Sequence, residues 1–113
     1  MANIYYSPLA RQDLEQIGDY IAFELKNPTA ALNAVNRIQT AIDKLVDFPH
    51  MGAPLSVRYE DVGNCRFLVC GSYLAFYREQ TNNIYIDRIL YGKMDYMSIL
   101  FGGVPEEDTE KTE

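Results

Sequence analysis

Apolar residues recur at helical spacing in the first half of the chain and alternate at strand spacing in the second. Ala10, Leu14, Ile17, Ile21 and Leu25 fall three and four residues apart, with Arg11, Asp13, Glu15, Gln16 and Asp19 facing elsewhere, which predicts an amphipathic helix. Ser7-Pro8 opens it, since a serine hydroxyl caps a helix and a proline in the first turn removes no intrahelical bond. Lys26-Asn27-Pro28 ends that helix and starts another, because the residue before proline avoids the helical region and Asn27 can cap. The second stripe, Ala31, Val35, Ile38, Ile42 and Leu45, stops at Phe48-Pro49. So short a link folds the two helices into an antiparallel hairpin.

Three runs rich in β-branched and aromatic residues follow: Arg66 to Cys70, Tyr73 to Glu79 and Ile84 to Leu90. Gly71-Ser72 between the first two suits a type II′ turn, and Thr81-Asn82-Asn83 supplies a slightly longer reversal, so the runs read as a β-meander. Asn3 to Tyr6 predicts a short N-terminal strand. Pro49 to Gly63 reads as a connecting loop with a short strand near Leu55 to Arg58, and Met97 to Phe101 as a last helical turn or strand end. Each helix stripe needs a partner surface, and the meander is the large one available. The expected fold is α+β: an N-terminal strand and an antiparallel two-helix hairpin packed on an antiparallel sheet of three to four strands. One domain is expected over residues 1–101, and residues 102–113 read as an acidic disordered tail.

Charge changes the picture only modestly. The formal net charge is −6, but Pro105 to Glu113 holds five acidic groups against Lys111, leaving nine Lys/Arg against eleven Asp/Glu in the rest. A domain gripping nucleic acid through a broad basic face would be more positive. No apolar run reaches the length of a membrane span, and MANIYYSPLARQDLEQ lacks the basic and apolar regions of a secretory signal, so a cytoplasmic protein with no membrane partner is expected. Cys65 and Cys70 stand five positions apart on one extended segment, roughly 16 Å from each other, too far to bridge. Both are expected as small buried hydrophobes. His50 reads as a solvated loop residue, and a lone histidine gives no metal site; neither metal nor cofactor is expected.

The order of these elements carries a resemblance. SPLARQDLEQIGDYI near the start, NPTAALNAVNRIQTAIDKLVDFPHMGAPL in the middle and GSYLAFYRE with IYIDRILYGKMDYMSILF at the end are similar to the RelE/ParE toxin superfamily, over almost the whole chain up to Phe101. The resemblance implies the toxin of a type II toxin-antitoxin module, inhibiting bacterial growth and neutralised by a cognate antitoxin. RelE-like members cut messenger RNA on the ribosome without a metal; ParE-like members inhibit DNA gyrase. A homodimer or a toxin-antitoxin hetero-oligomer is the expected assembly.

RNA cleavage by its own 2′-hydroxyl needs a base, a donor to the leaving oxygen and fixed positive charge. RelE-like enzymes often place arginines where this chain resembles them with Leu74 and Met94, and histidine where it has Tyr91, whose ordinary pKa of about 10 makes a poor base. The candidate site residues are Arg66, Arg88, Tyr91, Lys93 and Tyr96: catalytic if the chain is RelE-like, target-binding otherwise. An incomplete ribonuclease set and a Lys-Met-Asp-Tyr-Met ending similar to some ParE-like members favour gyrase as the target. The ribosome-dependent endoribonuclease is the alternative, and a degenerate member that only binds its antitoxin is the third. Each candidate also has a structural reading. Arg88 suits an ion pair with Asp95 or Asp87, Arg66 and Arg78 suit exposed strand ends, and Tyr73, Phe76 and Tyr77 suit the core or sheet surface.

Overall fold

Ser7 turns the chain from strand into helix. Its hydroxyl accepts the Ala10 amide at 2.9 Å and donates to the Asp87 carbonyl at 2.8 Å, so one side chain caps the first helix and ties its start to the sheet. The computed structural model describes residues 3–55 and 65–93. In it, β1 (Ile4–Tyr6) leads into α1 (Pro8–Asp19), and α2 (Pro28–Asp43) runs back against it and tightens into a 3₁₀ turn at Lys44–Val46. Asn27 caps α2 through Oδ1, which accepts the Ala30 amide at 3.1 Å. The strands β2 (Ala53–Pro54), β3 (Arg66–Cys70), β4 (Tyr73–Gln80) and β5 (Asn83–Tyr91) follow.

The sheet has five strands in the order β1-β5-β4-β3-β2. It is α+β with the helices on one face, as expected, but it exceeds three to four strands and is mixed, because β1 pairs with β5 in parallel. A two-residue strand ending in proline carries no alternation to read, and pairing direction leaves no local mark in a sequence. Ala53–Pro54 is paired to β3, slightly before the strand expected near Leu55; residues 56–58, Met97 to Phe101 and the tail at 102–113 lie outside the described residues. Gly71 takes φ +64° at the first position of the β3–β4 turn, as a type II′ turn requires. The β4–β5 turn has two residues rather than three: Thr81 and Asn82 have φ of 52° and 67°, the paired positive values of a type I′ turn.

The core lies between the helix stripes and one face of the meander. Ala10, Leu14 and Ile17 from α1 and Ile38 and Ile42 from α2 meet Leu68, Ala75, Tyr77, Ile84, Ile86 and Ile89 from the sheet. Two sequence expectations fail here. Asp13 does not face elsewhere; it is 8% exposed among those apolar residues. Leu25 leaves the stripe and is 56% exposed, because Tyr20–Glu24 forms a π-helical turn closed by Leu25 N–H to Tyr20 O at 3.2 Å. A wider turn rotates every later side chain, so the four-residue spacing no longer keeps Leu25 in line with Ile21.

Both thiols are free and buried, as expected of small hydrophobes. Burial pushes Cys65 and Cys70 each up to about 11, and burial, with Asp43 and Cys70 nearby, pushes the Tyr6 phenol up to about 12. These groups hold their protons more tightly folded than unfolded. Their contribution is therefore complete below the ordinary thiol pKa of about 9 and is lost as pH rises toward 11 to 12. Thermal unfolding followed from pH 7 to 11 is expected to show a Tm that starts falling near pH 9. Iodoacetamide at pH 8 should leave both cysteines unmodified until denaturant is added.

Candidate functional site

At the end of the sheet that carries the β3–β4 turn, the helices and the strands part and leave a groove of about 890 Å³. α1 and its π turn supply Ile17, Tyr20, Ile21 and Leu25, and α2 supplies Ala30, Asn33, Ala34 and Arg37. The strands supply Ser72, Tyr73, Arg88, Ile89, Leu90 and Tyr91. The groove is open to solvent, and its Tyr20 and Leu25 walls are more than half exposed. Tyr73 and Tyr91 lie on neighbouring strands with ring centroids 5.8 Å apart and planes 59° apart. Burial, with Tyr91 and Tyr20 beside it, raises the Tyr73 phenol above its ordinary pKa, so it remains a hydrogen-bond donor at neutral pH.

Arg88 forms the groove's floor with Asp13. Its Nε and Nη2 donate to the two carboxylate oxygens at 2.7 and 2.9 Å, and Asp13 also accepts the Ile89 amide at 2.9 Å. These hydrogen bonds raise the Arg88 pKa and keep it charged. The partner is Asp13 and not Asp87, one of the two expected from sequence proximity, because Asp87 takes Arg78 in its own two-pronged pair at 2.8 and 3.1 Å; Asp95, the other, lies outside the described residues. A bulge between Phe76 and Tyr77 on the β4–β5 ladder separates the two arrangements. Beside it, Arg88 turns to the helices, while Asp87 and Arg78 meet near Tyr85. Arg78 is thus paired rather than a free strand end.

Arg66 lies elsewhere. It sits opposite Tyr77, whereas Tyr91 sits opposite Tyr73. Those β4 positions are four residues apart, about 13 Å along an extended strand. Arg66 Nη1 donates to the Gly52 carbonyl at 2.7 Å and the His50 carbonyl at 3.4 Å, so it braces the loop after α2. His50 itself is exposed and pairs with Glu79 at 2.8 Å. Of the sequence-derived candidates, then, Arg88 and Tyr91 share the groove, Lys93 is exposed in the turn just beyond Tyr91, and Arg66 is apart. Tyr96 lies outside the described residues. Phe76 and Tyr77 are fully buried and Tyr73 partly so, as expected.

Sequence reasoning missed Asp13, Tyr20 and Arg37. For Asp13 a signal existed, since it follows Ala10 by three residues and precedes Ile17 by four, which places it on the buried face. The other two stand near the groove because of the π turn and the way α2 lies against the β3–β4 hairpin, and neither is marked locally.

The family model for the ParE toxin of the type II toxin-antitoxin system parDE matches residues 4–96. The chain belongs to the ParE toxin family. The fold agrees with that membership. A chromosomal ParDE toxin-antitoxin structure from P. aeruginosa superposes with a TM-score of 0.68 at 27% identity, covering 80% of this chain and 96% of that one. The RelBE2 toxin-antitoxin complex from Mycobacterium tuberculosis superposes with a TM-score of 0.55 at 22% identity over the same shares, a likeness of fold alone. No curated protein matches in sequence. No helix among the described residues is long and apolar enough to cross a membrane.

Proposed function

We propose that this ParE-family chain is a growth-inhibiting toxin that acts by binding DNA gyrase and is held inactive by a cognate antitoxin. The observation that carries this reading is how the sheet arginines are engaged. Arg66 is held by loop carbonyls, Arg78 by Asp87 and Arg88 by Asp13, and Arg66 and Tyr91 stand level with β4 positions four residues apart, about 13 Å along the sheet. Cutting RNA requires a proton acceptor and unengaged cations converging on one phosphate. A protein that inhibits by binding requires a complementary surface with aromatic and basic anchors, which Tyr91 and Lys93 supply at the sheet's end. The antitoxin partner is supported by family membership and by solved relatives that are toxin-antitoxin complexes.

The purified chain is expected to inhibit gyrase supercoiling of plasmid DNA and to leave translated messages intact when ribosomes are present. Lys93→Ala and Tyr91→Ala should each weaken inhibition about tenfold, equal to roughly 1.4 kcal/mol of binding, and Lys93→Ala should do so without moving Tm, since its side chain is exposed. Ribosome-dependent RNA ends with unchanged supercoiling would replace this reading with the endoribonuclease one.

A further inference from the structure

Among the described residues, the two edges of the sheet are finished differently. β2 is two residues long and ends in Pro54, which has no N–H to offer a further strand, so that edge is blunt. β1 carries no such device: Asn3 to Tyr6 holds no charged side chain and no proline, and its register with β5 is unbroken. The parallel ladder fixes which of its backbone groups are engaged. Ile84 N–H donates to the Asn3 carbonyl at 2.8 Å and Ser7 N–H to the Ile86 carbonyl at 2.9 Å, so Asn3, Tyr5 and Ser7 turn their backbone groups toward β5. The N–H and C=O of Ile4 and Tyr6 turn the other way, and among the described residues no backbone group meets them.

Tyr5 marks the middle of that open edge. It stands on the face away from the helices, half exposed, and its ring stacks on Tyr85 of β5 with centroids 5.4 Å apart and planes 20° from parallel. Arg78 closes the inner end of this row, its guanidinium 5.7 Å from the Tyr85 centroid and paired with Asp87. One face of the Tyr5 ring is therefore taken, and the other looks out over the edge. We propose that the chain self-associates about a two-fold axis at Tyr5, β1 pairing antiparallel with β1 of a second copy. In the register that uses both outward residues, Ile4 of each copy lies opposite Tyr6 of the other and the two exchange both backbone bonds, while Tyr5 meets Tyr5 in a pair without hydrogen bonds. A slip of two residues would leave only one of those outward residues bonded within the strand. Unbonded pairs bring Cα atoms to about 4.5 Å, the closest approach a sheet offers side chains, so the two rings extend each other's row across the axis. No charged side chain of the strand opposes this contact. Strands of three residues fall short of the roughly 1,000 Å² that a lasting interface buries, and the net charge of −6 sets the copies against each other. The dimer is therefore weak, forms at about 100 μM and above, and tightens as salt screens the charge. None of this depends on gyrase being the target.

The test is sedimentation equilibrium of the full chain over about 10 to 500 μM, joined to a cross-linking measurement. The wild type should show a monomer–dimer equilibrium that is tighter at high salt than at low. Tyr5→Lys sets like charges against each other at the axis and should weaken the dimer at least about tenfold. Tyr5→Cys should form an intermolecular disulfide under a mild oxidant, because an unbonded cross-strand pair holds its Cβ atoms about 4.5 Å apart, within a disulfide's reach. Cys65 and Cys70 are buried and do not compete. Val69→Cys, at a more exposed site on β3, should cross-link far more slowly. Should Tyr5→Lys lose its fold by circular dichroism, the two cross-linking rates decide alone. A monomer at every concentration, or Val69→Cys cross-linking as fast as Tyr5→Cys, overturns the inference and leaves the edge to a strand from another polypeptide. So does a dimer that a folded Tyr5→Lys leaves as tight, since the copies would then meet through another surface.

Discussion

Replacing Asp13 with alanine is expected to cost about 3 to 5 kcal/mol of folding stability, the range for removing one partner of a buried ion pair. The loss is large because three bonds end on one carboxylate. Without it, Arg88 keeps its charge beneath the helices, and the Ile89 amide, buried at the bulge, has no acceptor. For a domain of this size, that loss lowers Tm by more than about 10 °C, readable by calorimetry or circular dichroism. Substituting both partners, Asp13→Leu with Arg88→Met, should destabilise much less than Asp13→Ala alone, because no unpaired charge is left. A loss under about 1 kcal/mol for Asp13→Ala would put the pair in the class of exposed surface bridges and return Arg88 to the candidates for target binding.

The second large effect is expected at Gly52, where a side chain has no room. A Cβ there would stand 2.6 Å from the Phe67 carbonyl oxygen and 2.7 Å from the Tyr77 hydroxyl. Gly52 must come this close because the buried Tyr77 clamps the loop, donating to the Pro49 carbonyl at 2.8 Å and accepting the Gly52 amide at 2.9 Å. Gly52→Ala should therefore cost at least about 3 kcal/mol, the upper part of the range for overpacking, since the nearest obstacle is β3 backbone. Tyr77→Phe, which removes only the hydroxyl, should cost about 1 to 3 kcal/mol through the two groups it leaves unpaired. In urea denaturation the double substitution should cost less than the two added, because the clash with the hydroxyl goes with the oxygen, while those with the Phe67 carbonyl and the Tyr77 ring carbon at 2.8 Å remain. Strict additivity would mean that Tyr77 and Gly52 do not share this contact.

The candidate site was legible in the sequence only in part. Arg88 and Tyr91 were marked by their place near the end of the third meander strand, and they do line one groove. Arg66 carries the same kind of mark, an arginine at a strand end beside aromatic residues, but the antiparallel register puts it level with Tyr77, four β4 positions away from the Tyr73 that faces Tyr91. Arg37 carries no mark at all. It looks like any solvated residue on the polar side of a helix, and it matters because the β3–β4 turn lies against it.

Local chemistry by itself determined the elements of this chain. The Ser7 and Asn27 caps, the prolines that follow them, the apolar stripe of α2 and the positive φ of Gly71 each depend on residues a few positions apart, and each is found where the sequence puts it. The tertiary structure decided what depends on distant partners. Examples are the parallel pairing of β1 with β5, the capture of Asp13 by Arg88 across 75 positions, and the groove left where the π turn carries Leu25 out of register. A helix cap or a tight turn is settled by the few residues that form it. A strand's neighbour or a buried charge's partner is chosen from the whole chain, by which arrangement leaves the fewest polar groups unpaired once the core has closed.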